Sequence, residues 1–176
     1  GVVGTGALGS HHARVFAALP EVRLASVFDL DPAKARAAGE PHGAATAGSL
    51  EELIGSVDAA VVAVPTVAHA GVAARLLQSG RHVLVEKPIT STVADAEGLV
   101  ALAAEKGVVL QVGHVERFNP AAEALQRIGR PRFVEVHRLS PFPNRSLDID
   151  VILDLMIHDL DLLLALDKSK AVQIDA

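Results

Sequence analysis

The chain of 176 residues has no cysteine, no tryptophan and no tyrosine, one methionine and five phenylalanines. Without cysteine it has no disulfide, no thiolate zinc site and no sulfur nucleophile. So few aromatic rings leave no platform on which single-stranded bases stack. Lysine and arginine number 16 against 21 acids and form no run, so no basic face displaces counterions from a duplex; nucleic acid is not an expected partner. The longest uncharged apolar stretches, such as 59–67, fall far short of the ~18 residues that a helical membrane span needs. No HExxH, no EF-hand loop and no Ser-His-Asp arrangement occurs, and no metal site is expected.

What remains is a globular composition, 50% apolar and 21% charged, with a net charge of −5. At about 150 residues per domain the length amounts to one domain and a fraction. The chain opens on Gly1-Val2-Val3-Gly4, too short for a full first strand, and closes on 172–176, which reads as the opening of another. The expectation is a piece of a longer protein. Between the ends, strand and helix alternate. Helices are expected over 7–19, 32–38, a segment opened by Ser49, 67–78 and 92–105. Strands are expected over 22–28, 58–64, 82–85 and 108–112. A Gly- and Ala-rich passage, 43–48, precedes Ser49, whose Glu52 three residues on makes a capping box. This order predicts an α/β fold with a doubly wound parallel sheet. After Gly129-Arg130-Pro131 the character changes: 133–139 alternates like a strand with one wet face, 140–150 is a Pro-containing loop, and 151–166 is a strongly apolar helix.

Gly4-Thr5-Gly6-Ala7-Leu8-Gly9 is a GxGxxG that follows an apolar pair and opens a helix. Gly4 permits the tight turn, Gly6 lets a pyrophosphate approach the backbone, and Gly9 allows close packing of a helix whose first N–H groups face the phosphates. Asp29, 20 residues past Gly9 at the end of the second strand, stands where an acid reaches ribose hydroxyls. An acid there repels a 2′-phosphate, so NAD is favoured over NADP, a preference that nearby Arg36 tempers. His11 and His12 are adjacent on the helix and share no face, so they read as one packing and one surface residue rather than metal ligands.

Strand 82–85 ends in Glu86-Lys87-Pro88, which places Lys87 outside a carboxyl end, where ligands gather in such sheets. A plain surface Lys–Glu pair fits the same position. On helix 151–166, Asp154, His158 and Asp161 are spaced by four and three residues on one stripe, with Asp159 about 100° away. They form either a functional group, with His158 as a base, or a satisfied polar seam. Pro65, Thr66 and His69 follow the strand 58–64; Thr66 and His69 either face a nicotinamide or merely start a helix. Past strand 108–112, Arg117 carries a guanidinium fork suited to an anionic ligand.

Together these elements resemble the Gfo/Idh/MocA family of nicotinamide-dependent sugar and cyclitol oxidoreductases. The resemblance rests on the GxGxxG with Asp29, Pro65-Thr66 with His69, Glu86-Lys87-Pro88, Arg117-Phe118-Asn119-Pro120, and Asp154 with His158 and Asp161. It implies a Rossmann domain over 1–120 and, over 121–176, the start of a second α/β domain with an open, mostly antiparallel sheet that often mediates homo-oligomerisation. It implies NAD held by Gly4, Gly6, Ala7, Leu8, Gly9, Asp29, Pro65, Thr66, His69, Glu86 and Lys87. Lys87, Arg117, Asn119, Asp154 and His158 would meet the substrate. His158 would take the hydroxyl proton, Lys87 would stabilise the alkoxide, and Asp154 would hold hydroxyls or orient the histidine. A cytoplasmic enzyme is implied, and within the family the wording is nearest to members that oxidise the 3-hydroxyl of a UDP-N-acetyl-hexosamine. The alternatives are a myo-inositol or free-sugar dehydrogenase and a non-catalytic NAD-binding regulator on the same scaffold. One departure stands out: many members carry Gly-Gly shortly before the Asp-xxx-His motif, where this chain has Ile149-Asp150-Val151-Ile152-Leu153.

Overall fold

The computed structural model describes residues 1–127, 129, 131–139, 149–167 and 169–175. They divide into two compact units, Gly1–Gly113 and His114–Ala176.

The first unit is built on short strands; the central ones are largely covered on both faces and read as continuous apolar runs, while the edge strands keep exposed residues. In chain order these are β1 (Val2–Val3), β2 (Ser26–Phe28), β3 (Ala45–Thr46), β4 (Ala59–Val62), β5 (His82–Val85) and β6 (Leu110–Val112). They pair in parallel in the order β3-β2-β1-β4-β5-β6. This is a doubly wound Rossmann sheet whose strand order reverses between β1 and β4. The helices are α1 (Ala7–Ala18), α2 (Pro32–Gly39), α3 (Leu50–Ser56), α4 (Thr66–Gln78) and α5 (Val93–Lys106). Alternate strand residues feed two cores. Val2 and Val27 pack with Ala13 of α1 and Ala35 of α2; Val3, Val62 and Val85 pack with Leu53, Leu76, Leu77 and Leu99 from α3, α4 and α5. Fully buried leucines such as Leu76 and Leu77 each contribute about 1.5–3 kcal/mol from burial.

Caps define the helix starts. Asp31 accepts from the Ala33 N–H at 2.9 Å, Ser49 from the Glu52 N–H at 3.1 Å, and Thr92 from the Asp95 N–H at 3.2 Å. Glu52 reaches back as the capping box requires, but accepts from Gly48 N–H at 2.7 Å, one residue before the cap. Gly107, at φ 65°, closes α5.

The structure corrects the sequence reading in several places. The strand expected over 22–28 is only Ser26–Phe28, because residues 21–23 are exposed before the chain enters the sheet. The passage 43–48 contains the edge strand β3.

In the second unit, a 3₁₀ turn (Val115–Phe118) leads to α6 (Pro120–Gln126), and Ile152–Met156 leads to α7 (Ile157–Leu166). Residues 133–139 form no strand: an alternating pattern becomes one only against a partner, and no strand lies beside it among the described residues. Residues 172–175 form none either, and 140–148 of the expected loop lie outside the described residues. The helix expected over 151–166 is not uniform. Ile152–Met156 is a π-helical turn, closed by the Ile157 N–H donating to the Ile152 carbonyl. The extra residue alters the phase of Asp154 against His158 from that of a regular helix.

Candidate active site

Beyond the row Phe28, Val3, Val62, Val85 and Val112, the next residues in each strand are Asp29, Gly4, Ala63, Glu86 and Gly113. The ladder holds this second row as well. Gly4 N–H donates to Phe28 O (2.8 Å), Ala63 N–H to Val3 O (2.8 Å), Glu86 N–H to Val62 O (3.0 Å) and Gly113 N–H to Val85 O (2.8 Å). The carboxyl edge of the sheet thus presents Gly4 at the reversal point, the Asp29 and Glu86 carboxylates on either side of it, and Gly113 at the outer strand.

The glycines of the first loop do different things. Gly4 has φ 84°, and a Cβ there would lie 2.7 Å from the Ala63 carbonyl oxygen. A Cβ on Gly9 would lie 1.7 Å from the Gly4 carbonyl oxygen, so α1 packs against the loop with no space for a methyl. A Cβ on Gly6 would meet nothing within 4 Å. Gly6, Ala7 and Leu8 are exposed, and the α1 N-terminus has neither a side-chain cap nor an acid in its first turn. Its N–H groups and the positive end of its dipole are therefore left for an anion.

Asp29 Oδ2 accepts from the Thr5 N–H at 2.6 Å and the Thr5 hydroxyl at 3.1 Å, and Oδ1 accepts from the Asp31 N–H at 2.9 Å. Partial burial opposes its charge, but the Asp31 and Thr5 hydrogen bonds outweigh that and hold its carboxyl below the ordinary value. Asp29, Pro32, Arg36, Thr46 and Gly48 line a cleft of about 460 Å³.

Glu86 is buried. Burial again opposes its charge, and His12 above all, with the Lys87 N–H, prevails and lowers its pKa. Lys87 is half-buried and joined to Pro88 by a cis peptide bond. Thr66 is buried at the start of α4 while Pro65 before it is exposed. His69 does not face outward: it is 1% exposed, with Nδ1 2.8 Å from the Pro88 carbonyl oxygen and Nε2 2.9 Å from that of Val64. Of the two sequence readings of His69, direct contact with a cofactor gives way to a role inside the protein, since both ring nitrogens face main-chain oxygens.

The second unit gathers the other residues. Asp154 is buried on the π-helical turn, His158 is half-buried on α7, and Asp161 is buried one turn further. Asp150 caps this element, accepting from the Leu153 N–H at 2.9 Å. Arg117 spends its fork within the protein: Nε and a terminal nitrogen donate to the two Asp161 oxygens, each at 2.6 Å. Burial pushes Asp161 up, and the Arg117 bonds with the nearby His114 and His158 hold it low. Asp159 is gripped in the same bidentate way by Arg138. Asn119 caps α6 through the Ala121 N–H and donates to Glu116. Arg117 and Asn119, singled out for substrate, thus have structural partners of their own.

Residues 1–114 match the family described as Gfo/Idh/MocA, an oxidoreductase family with an NAD-binding Rossmann fold. The chain belongs to the Gfo/Idh/MocA family. It is 42% identical over its whole length to UDP-N-acetylglucosamine 3-dehydrogenase of Acidithiobacillus ferrooxidans, covering 56% of that protein. The solved structure of that protein matches 98% of this chain and 57% of its own, with TM-score 0.91. Myo-inositol dehydrogenase Hyg17 of Streptomyces leeuwenhoekii is 35% identical over 99% of this chain and 57% of its own. The NAD complex of GenD2, from gentamicin A biosynthesis, is 30% identical with TM-score 0.82, over 93% of this chain and 51% of that one. The chain spans about half the length of these relatives.

The residues of this Gfo/Idh/MocA domain fit NAD. The uncapped N-terminus of α1 and the open space over Gly6 suit a pyrophosphate, and the Asp29 cleft suits the adenosine half. Asp29 Oδ1, which accepts one hydrogen bond where Oδ2 accepts two, keeps lone-pair capacity for a ribose hydroxyl. Sequence reasoning missed the bond from His12 to Glu86, which lie 74 residues apart. A histidine on the inner face of α1 was the one local hint.

Proposed function

We propose that the protein oxidises a ring hydroxyl of a sugar with NAD, and that its substrate is a UDP-N-acetyl-hexosamine attacked at the 3-position. The observation that carries this reading is Lys87 just past the carboxyl end of β5, in a chain 42% identical along its length to a UDP-N-acetylglucosamine 3-dehydrogenase. Bound NAD supplies the two-electron redox chemistry that no side chain of this chain possesses. The chain's own residues manage charge and protons. His158 takes the proton of the hydroxyl through a ring nitrogen. The Lys87 ammonium lies against the oxygen and stabilises negative charge as it develops there. Asp154, buried beside the same helix, holds substrate hydroxyls or orients His158. Asp29 favours NAD over NADP, because its carboxylate repels a 2′-phosphate.

The proposal extends to a cytoplasmic homo-oligomer; among the described residues no helix is long and apolar enough to cross a membrane. A second reading, a myo-inositol or free-sugar dehydrogenase, is favoured by the 35% identity to Hyg17. The deciding experiment follows reduced-nicotinamide fluorescence in the complete protein with NAD after addition of UDP-N-acetylglucosamine. A rise supports the nucleotide-sugar reading. A rise only with inositol or free sugars replaces it with the second. His158→Ala should lower turnover by about 10²–10⁴ with NAD affinity kept; equal loss of both removes His158 from the role of base.

A further inference from the structure

Lys87 is flanked by two residues that each lie within hydrogen-bond distance of a histidine from a different helix. On one side, His12 of α1 places Nε2 2.7 Å from Glu86 Oε1. The His12 ring is itself fixed by stacking on Phe16, with centroids 5.9 Å apart and planes at 24°. The other Glu86 oxygen accepts the Lys87 N–H at 3.2 Å. A Cβ on Gly113 would lie 3.2 Å from that carboxylate, so the wall behind it is close. On the other side, His69 Nδ1 of α4 lies 2.8 Å from the Pro88 carbonyl oxygen.

A buried carboxylate needs a permanent partner, or it draws in whatever cation is nearest. The nearest flexible cation along the chain is Lys87 itself. Among the groups that keep Glu86 ionised, His12 acts more strongly than Lys87. His12 also lies one turn past Gly9, on the helix whose first N–H groups are left for a phosphate. One helix therefore carries both the anion-binding end and the group that anchors the residue before Lys87.

We propose that His12 is a positioning residue for Lys87: by anchoring the Glu86 carboxylate, which bonds the Lys87 N–H, it sets where the lysine side chain projects. The inference rests on the role given to Lys87 above, and its test separates the two. The first readout needs no turnover. The complete protein is treated with limiting acetic anhydride, and the acetylation rate of Lys87 is measured by peptide mass spectrometry against Lys34 and Lys106. His12→Ala changes the relative rate of Lys87 at least threefold. His12→Gln, which keeps an N–H donor at similar reach, restores it, and His11→Ala, on the exposed neighbour, leaves it unchanged.

The second readout is kinetic. His12→Ala lowers kcat about tenfold or more, as a misplaced catalytic group does, while the dissociation constant of NADH stays within about threefold. Where His12→Ala does not fold, Glu86→Gln, which keeps the shape and weakens the bond, carries both measurements with the same expected direction. Wild-type reactivity of Lys87 in His12→Ala overturns the proposal. So does failure of His12→Gln to rescue, which makes the histidine a packing residue alone. A shifted Lys87 rate in a protein that oxidises no sugar upholds the positioning role and removes the proposed function instead.

Discussion

Replacing Gly9 with alanine tests the packing of α1 on the glycine loop. The new Cβ would lie 1.7 Å from the Gly4 carbonyl oxygen, and Gly4 is itself held by its N–H bond to the Phe28 carbonyl. An acceptable separation is roughly 3.2 Å, so the helix must retreat by about 1.5 Å or the loop must break its ladder bond. Overpacking of this kind costs about 1–3 kcal/mol, or more where both neighbours are backbone. For a domain of this size that is a fall in Tm of about 2–12 °C. The same retreat moves the α1 N–H groups away from the phosphate position and should weaken NADH about tenfold or more. Gly6→Ala is the matched control. Its Cβ meets nothing, and its φ of −63° suits alanine, so its Tm should move by a shift equivalent to less than about 1 kcal/mol. NADH affinity should nevertheless drop, because the methyl occupies the space left for the pyrophosphate. Thermal melts and NADH fluorescence titrations of both variants give the answer. A Gly9→Ala protein with wild-type Tm and wild-type affinity would refute the reasoning.

Asp161 has a pKa held below its ordinary 3.8, so the pair with Arg117 stabilises the fold fully above that value and is lost as pH falls through the folded-state value. Asp161→Asn should cost about 1–2 kcal/mol at neutral pH, a modest figure because Arg117 is half exposed, and should flatten the acid limb of urea midpoints measured below about pH 5. Asp29→Asn weakens three hydrogen bonds to a charged acceptor and should raise the NADH dissociation constant about tenfold while improving NADPH; an unchanged ratio between the two cofactors counts against the assigned role. Leu76→Ala empties a fully buried position and should lower unfolding free energy by about 2–5 kcal/mol in a urea titration.

The parts of this domain that were legible in sequence are those written in local spacing. The glycine loop, Asp29 and Glu86-Lys87 each depend on a strand end and a few residues beyond it, and each lies where its spacing put it. β3 escaped because two residues, Ala45 and Thr46, carry no apolar pattern and form a strand only by pairing with Ser26 and Val27. The π-helical turn escaped because a segment apolar on nearly every side gives no phase from which an extra residue is read. Arg117 was offered to a ligand because its partner, Asp161, stands 44 residues away. His69 was left between facing a nicotinamide and starting a helix because nothing in sequence shows which main-chain oxygens close over its ring.

Gly113 ends the first unit, and a Cβ there would stand 3.2 Å from the Glu86 carboxylate, which would have to give by a few tenths of an ångström. The position where one would graft a different second unit is therefore not a free joint. Any residue other than glycine there pushes on the acid beside Lys87, so a chimera cut at this point disturbs the residue before Lys87 even where it folds. A junction moved past His114 leaves the acid undisturbed, which makes the choice of seam, rather than the choice of partner, the first variable in recombining this domain.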